Sequence, residues 1–137
     1  VMGLAAEVDR DVADTAGSRL VLRYLTLMEE GDLAQAQAML ADGFRMVFPG
    51  DNRFTRNEDL VAYWQRLYRS VHKTFERFDS VPAKDGTVVY CFGRLHGTFA
   101  NGTTFENIRF VDRFTVRDGK LVDQMVWNDI GLIQPRA

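Results

Sequence analysis

Cysteine is almost absent: Cys91 is the only one in 137 residues. An intrachain disulfide framework is therefore impossible, and a zinc site built from several thiolates is excluded. A reducing, cytoplasmic setting is the expectation. Histidine is nearly as scarce, and His72 and His96 lack the spacing of metal ligands, so no metal site is expected. Long apolar runs are missing too; none approaches the roughly 20 residues that a membrane-spanning helix needs. Nor does charge lean far to one side. Basic and acidic residues are interspersed, 17 against 19, for a net charge of −2. That balance offers no footprint for nucleic acid and no cationic run for a membrane surface.

What is present is an ordinary globular composition. With 46% apolar and 26% charged residues, a chain of this length can bury one core without staples. The start, Val1-Met2-Gly3-Leu4-Ala5-Ala6, has no basic region and soon meets Glu7, Asp9, Arg10 and Asp11, unlike a signal peptide. Residues 1–14 are expected to form a flexible arm, and residues 15–137 a single domain. No internal repeat, low-complexity tract or linker divides it.

Three helices are expected first. Val21, Tyr24, Leu25 and Met28 recur at helical spacing over about 18–30. Gly31 ends that helix and Asp32 caps the next, which is lined by Leu33, Ala36 and Leu40 and stopped at Asp42-Gly43. A short strand over 44–48 and a polar loop over 51–56 follow. Asn57 should then cap a third helix with Glu58 and Asp59 in its first turn, its stripe being Leu60, Val61, Trp64, Leu67, Tyr68 and Val71. His72 would end it, near the negative end of the helix dipole.

The remainder reads as strands over 75–81, 87–99, 103–116 and 120–128. Asn101-Gly102 and Asp118-Gly119 separate the last three, and both dipeptides tolerate the positive φ of hairpin turns. The expected fold class is α+β: three N-terminal helices packed on a strongly curved antiparallel sheet, a cone-shaped, cystatin-like α+β barrel.

One strand carries the chemistry. Alternation puts Glu106, Ile108, Phe110, Asp112, Phe114 and Val116 on one face, so Asp112 should point into the core between two phenylalanines. A carboxylate there is costly to ionise, and a raised pKa makes a general acid or a neutral hydrogen-bond donor. The bland alternative is a carboxyl that merely bonds a neighbour across the sheet. With three-residue bulged loops in both hairpins, Asp112 faces Tyr90 and Gln124, His96 faces Glu106, and Arg113 and Asn107 face Asp123 and Asp129. A two-residue loop at Asn101-Gly102 would set Arg94 against Arg109, a like-charge pair, so the bulged register is favoured. Tyr24 brings a hydroxyl that needs a partner if buried, although aromatic core filler is the commoner role. His96 with Glu106 is either a proton shuttle or a rim salt bridge.

Gly31-Asp32-Leu33, the run Phe114-Thr115-Val116-Arg117-Asp118-Gly119-Lys120-Leu121, Asn107, and Trp127 with Asp129, in an order of helix, helix, strand, helix and meander, resemble the nuclear transport factor 2-like superfamily. Within it the chain looks like the SnoaL-like group, which includes polyketide cyclases, and is similar to ketosteroid isomerase. The resemblance covers nearly everything after residue 17. It implies that Tyr24 stands at the isomerase's oxyanion tyrosine and Asp112 at its protonated aspartate. The isomerase's base position falls on Phe48, which accepts no proton, so steroid isomerisation by that route is not expected.

The function expected is that of a cofactor-independent lyase, isomerase or cyclase acting on an apolar carbonyl compound. Its catalytic residues would be Asp112, Tyr24 and His96. Phe48, Trp64, Tyr68, Tyr90, Phe110, Gln124 and Asn128 would contact the substrate, with His72 or Glu106 as other possible bases. The alternative is a non-catalytic ligand-binding or dimerisation domain, since one fold hosts many functions. Epoxide hydrolysis is a weaker option, because Arg94 near Asp112 supplies only part of an Asp-Arg-Asp relay. Resemblance also implies a homodimer, and Leu95, Val111, Met125 and Trp127 on the outer sheet face would form its interface.

Overall fold

A computed structural model describes residues 13–135. Most of the expected arm lies outside the described residues; Ala13, where they begin, is buried. Helix α1 (Ala16–Glu30) opens with a capping box, in which Thr15 and Ser18 satisfy each other's backbone N–H groups. It closes on Gly31 at φ 81°, a left-handed geometry that suits glycine. Asp32 caps α2 (Leu33–Ala38) by accepting from the Gln35 N–H. The expected stripe of α1 is buried, joined by Leu22 and Leu27.

Strand β1 (Leu40–Phe48) is longer than expected and takes in Asp42-Gly43, where the chain bulges instead of ending a helix. The polar loop holds a short strand, β2 (Asn52–Phe54), hairpinned onto β1. Helix α3 (Asn57–Leu67) stops five residues before the expected end at His72, and Tyr68 is already extended at φ −133°. The sheet takes over there. Strand β3 (Tyr68–Ala83) pairs along its whole length with β4 (Gly86–Phe99), and Tyr68 stacks on Phe99 at 5.8 Å. Tyr68, Val71 and His72 therefore belong to a strand, and His72 does not end a helix. Helical spacing at 64, 67, 68 and 71 overlapped a strand alternation of Val71, Lys73 and Phe75, and sixteen residues of pairing outweigh one more helical turn.

Strands β5 (Thr104–Arg117) and β6 (Lys120–Asn128) complete one six-stranded sheet in the order β2-β1-β6-β5-β4-β3. The α+β class is as expected, with two refinements. Strand β1 runs parallel to β6, so the sheet is mixed. With β2 and β3 as edges it is open and does not close as a barrel. Helix α1 lies against β3 and β4, and α3 against β2 and β3.

Register departs from expectation in both hairpins. The first turn does hold the three-residue loop, with Phe99 N–H donating to Thr103 O. A further bulge then falls between Phe105 and Ile108, where Asn107 sits at φ 59°. One extra residue slips the pairing by one, so Cys91 rather than Tyr90 faces Asp112. The slip keeps Val89, Cys91, Leu95 and Phe99 of β4 together in the core. It also turns Tyr90, Phe92, Arg94 and His96 outward and takes Leu95 off the outer face. Arg94 does stand opposite Arg109, but Glu76 and Asp129 neutralise the pair from the sides, at 3.4 and 2.6 Å. The second turn is a two-residue loop: Asp118 and Gly119 both have positive φ, and Arg117 pairs with Lys120. A further register shift, between Val116–Leu121 and Thr115–Asp123, then sets Asp112 opposite Val126 and Gln124 opposite Phe114. Arg109, not Asn107, meets Asp129.

Candidate active site

Asp112 is 1% exposed, on the inner face of β5 between the buried Phe110 and Phe114. Gln124 Nε2 approaches its Oδ2 at 3.5 Å, a weak bond, while Oδ1 has no hydrogen-bond partner among the described residues. Burial pushes its pKa from 3.8 up to about 6, against the lowering pull of the Lys73 charge and the Gln124 amide. A carboxyl so poised changes protonation near neutral pH and can act as acid or base.

Two adjoining cavities share Phe48, Trp64, Tyr68, Val71 and Lys73. The smaller, 70 Å³, contains Asp112 with Phe110, Val126 and Asn128. The larger, 550 Å³, reaches Tyr24 and Gln124 between α1, α3 and β3. Small-molecule sites generally span about 300–1,000 Å³. The walls are aromatic: Phe48 meets Trp64 edge-on at 5.8 Å, and Tyr68 meets Phe105 at 5.9 Å. Burial also raises the Tyr68 phenol to about 12, helped by Tyr63, so it stays a proton donor.

Tyr24 is fully buried on α1, edge-on to Phe114 at 5.9 Å. Its hydroxyl donates to Asn57 Oδ1 at 2.8 Å, and burial keeps the phenol protonated. Its proton is thus committed to Asn57. Sequence reasoning had made Asn57 a helix cap, but Arg56 occupies the N-cap and no side chain caps the helix. Asn57 turns inward instead, 2% exposed, and its Nδ2 has no partner among the described residues. Tyr24→Phe would strand Asn57 Oδ1 as well, so a stability loss of roughly 1–3 kcal/mol is expected. The urea midpoint measures it; a change under about 0.5 kcal/mol, the range of neutral surface substitutions, would deny the bond any structural weight.

Of the ten residues named from sequence, the fold gathers eight about these cavities: Asp112, Tyr24, Phe48, Trp64, Tyr68, Phe110, Gln124 and Asn128. The other two it does not bring there. Tyr90 stacks with Phe92 on the far face, and His96 is exposed, its ring 5.3 Å from that of His72. The slip at Asn107 accounts for both. Glu106 is exposed as well and cannot serve the pocket, and Arg94, bonded to Glu76, offers no relay to Asp112. Two residues were missed. Asn57 carried no signal beyond its capping propensity. Lys73, half-buried with its Nζ 5.2 Å from the Phe110 ring centroid, was legible in the Val71-Lys73-Phe75 alternation once β3 is begun at Tyr68.

Helices laid over an open mixed sheet, enclosing a buried carboxyl and an aromatic pocket, define a protein of the nuclear transport factor 2-like fold. A protein of that fold and unknown function from Burkholderia pseudomallei K96243 superposes with a TM-score of 0.72 at 16% identity, covering 89% of this chain and 100% of the other. TerC, crystallised with polyporic acid, gives 0.69 at 17%, covering 83% and 92%. A protein provisionally named a polyketide cyclase, from Xanthomonas campestris pv. campestris, gives 0.66 at 21%, covering 92% and 96%. No curated protein matches the chain in sequence. The SnoaL-like domain profile matches residues 21–124, and the chain belongs to that family.

Proposed function

We propose that the protein is a cofactor-independent cyclase, lyase or isomerase of apolar carbonyl compounds, with Asp112 as its general acid and base. The observation that carries this is the unpartnered Oδ1 of a fully buried carboxyl lining an aromatic cavity. Its carboxylate form takes a proton from the carbon beside a carbonyl. The resulting enolate attacks a second carbonyl of the same molecule, and the Asp112 carboxyl returns the proton to the new alkoxide. One C–C bond forms, one C=O π bond breaks, and no oxidant or metal is consumed. A neighbour of the same fold holding polyporic acid supports small-molecule binding here. Tyr24 holds Asn57 and shapes the pocket floor. His96 takes no part.

The test is solvent exchange: α-proton loss from 2-tetralone in deuterium oxide, followed by NMR. The protein should accelerate it and Asp112→Asn should not. Equal rates for the two proteins would remove Asp112 from the chemistry.

Self-association through the outer sheet face completes the proposal. Phe92, Val111 and Trp127 stand side by side across β4, β5 and β6, and Trp127 is 49% exposed. An apolar row of that kind is better suited to an interface than to water. Trp127→Ala is expected to shift sedimentation toward the monomer, and an unchanged profile would count against this interface.

A further inference from the structure

We propose that the pocket takes its ligand as an anion: an apolar, mainly aromatic molecule bearing one carboxylate or enolate oxygen, seated between the Lys73 ammonium and the Asp112 carboxyl. It rests on the acid–base site above and adds the charge of the substrate.

Lys73 lines both cavities, and among the described residues it is the only cationic side chain lining the smaller one. Alternation with Val71 and Phe75 sets it on the inner side of β3. Among the described residues, no ion pair engages its Nζ; the π face of Phe110 holds it. Glu29 on α1 already accepts from the Lys73 backbone N–H at 2.9 Å, and its carboxylate lies 3.5 Å from the His72 ring nitrogen. A half-buried ammonium without a carboxylate partner, facing an apolar chamber, is costly unless an anion joins it. Among the described residues, Asp112 is the one acidic side chain lining the smaller cavity, and burial resists its ionisation; Glu29 lines only the larger one.

A neutral Asp112 can donate to an incoming anionic oxygen through the atom that now lacks a partner. An ionised Asp112 would repel that oxygen and compete for Lys73. The other groups around Asp112 do not alter this: Tyr24 from α1 is neutral and bonded to Asn57, Gln124 from β6 is an amide, and Cys91 is its neighbour on β4. Lys73 and an ionised Asp112 thus act in opposite senses on an anion, and their variants should show it.

Calorimetric titration at pH 5, below the Asp112 pKa of about 6, with 2-naphthoate and its uncharged analogue 2-naphthamide separates the outcomes. The acid should bind at least about tenfold tighter, a difference of about 1.4 kcal/mol. Lys73→Met should abolish the preference and Lys73→Arg should keep most of it. At pH 7.5, where the ionised Asp112 competes for Lys73, Asp112→Asn should tighten 2-naphthoate, the reverse of Lys73→Met. Equal affinities for acid and amide, untouched by Lys73→Met, would overturn the anion site and leave the acid–base proposal standing. A preference that survives in Lys73→Met would also overturn it. Failure of both compounds to bind would sink the pocket and the proposed function together.

Discussion

Asp112→Asn should stabilise the protein by about 3 kcal/mol above pH 6 while slowing its proton transfer by roughly 10²–10⁴-fold. The stability gain follows from burial. Asp112 has a pKa of 3.8 when free and about 6 in the fold. Below pH 3.8 the group is protonated in both states and costs nothing. Between about 4 and 6 the unfolded chain ionises and the folded chain resists, so unfolding releases a proton and stability falls as pH rises. Above the folded pKa the loss levels off, at about 1.4 kcal/mol per unit of difference. Asparagine has no such penalty. Melting curves should coincide near pH 3 and separate by an order of 10 °C at pH 8, the variant being higher. Parallel pH profiles for the two proteins would mean that Asp112 is not the strained carboxyl described here. Stability lost to a functional group in this way is a common trade.

Gly93→Ala should cost about 3 kcal/mol or more and loosen the pocket wall. A Cβ at that position would stand 2.0 Å from the Thr74 carbonyl oxygen and 2.8 Å from Phe110 Cε2. The first is backbone of the neighbouring strand and cannot swing away. The second belongs to the ring that carries Lys73 and meets Phe75 edge-on at 6.3 Å. Strand β3 must therefore separate from β4, or Phe110 must enter the cavity beside Asp112. Urea titration provides the measurement, with Gly131→Ala as the comparison, since nothing lies within 4 Å of a Cβ there. A loss below about 1 kcal/mol would show that β3 yields easily and that Phe110 is not held by it.

The parts of the site that could be read beforehand are those set by local alternation. Asp112 falls between Phe110 and Phe114 whatever its strand pairs with, because side-chain direction along one strand needs no partner. Tyr24 on the stripe of α1 is legible for the same reason. Tyr90 and His96 were misplaced because their direction relative to Asp112 depends on pairing between two strands. A single bulge at Asn107 inverts that relation. A positive φ at an asparagine inside a β-rich run gives only a weak local sign, since asparagine also serves turns and caps. Lys73 was hidden by a competition of periods: the helix pattern through Trp64, Leu67 and Val71 ran into a strand that shares Val71. Asn57 shows the limit most plainly. Its capping propensity was real, yet the buried Tyr24 hydroxyl, 33 residues earlier, claimed the side chain.

By itself the amino-acid order determined where the hairpin turns fall, the type of most elements and the inward aim of one carboxyl, because these depend on neighbours within a few residues. Only the assembled fold decided which groups surround that carboxyl, that β1 joins β6 in parallel, and that Lys73 rather than His96 shares the chamber. Those outcomes depend on strand register, which slips or holds according to the burial of whole faces. No short stretch of chain encodes it.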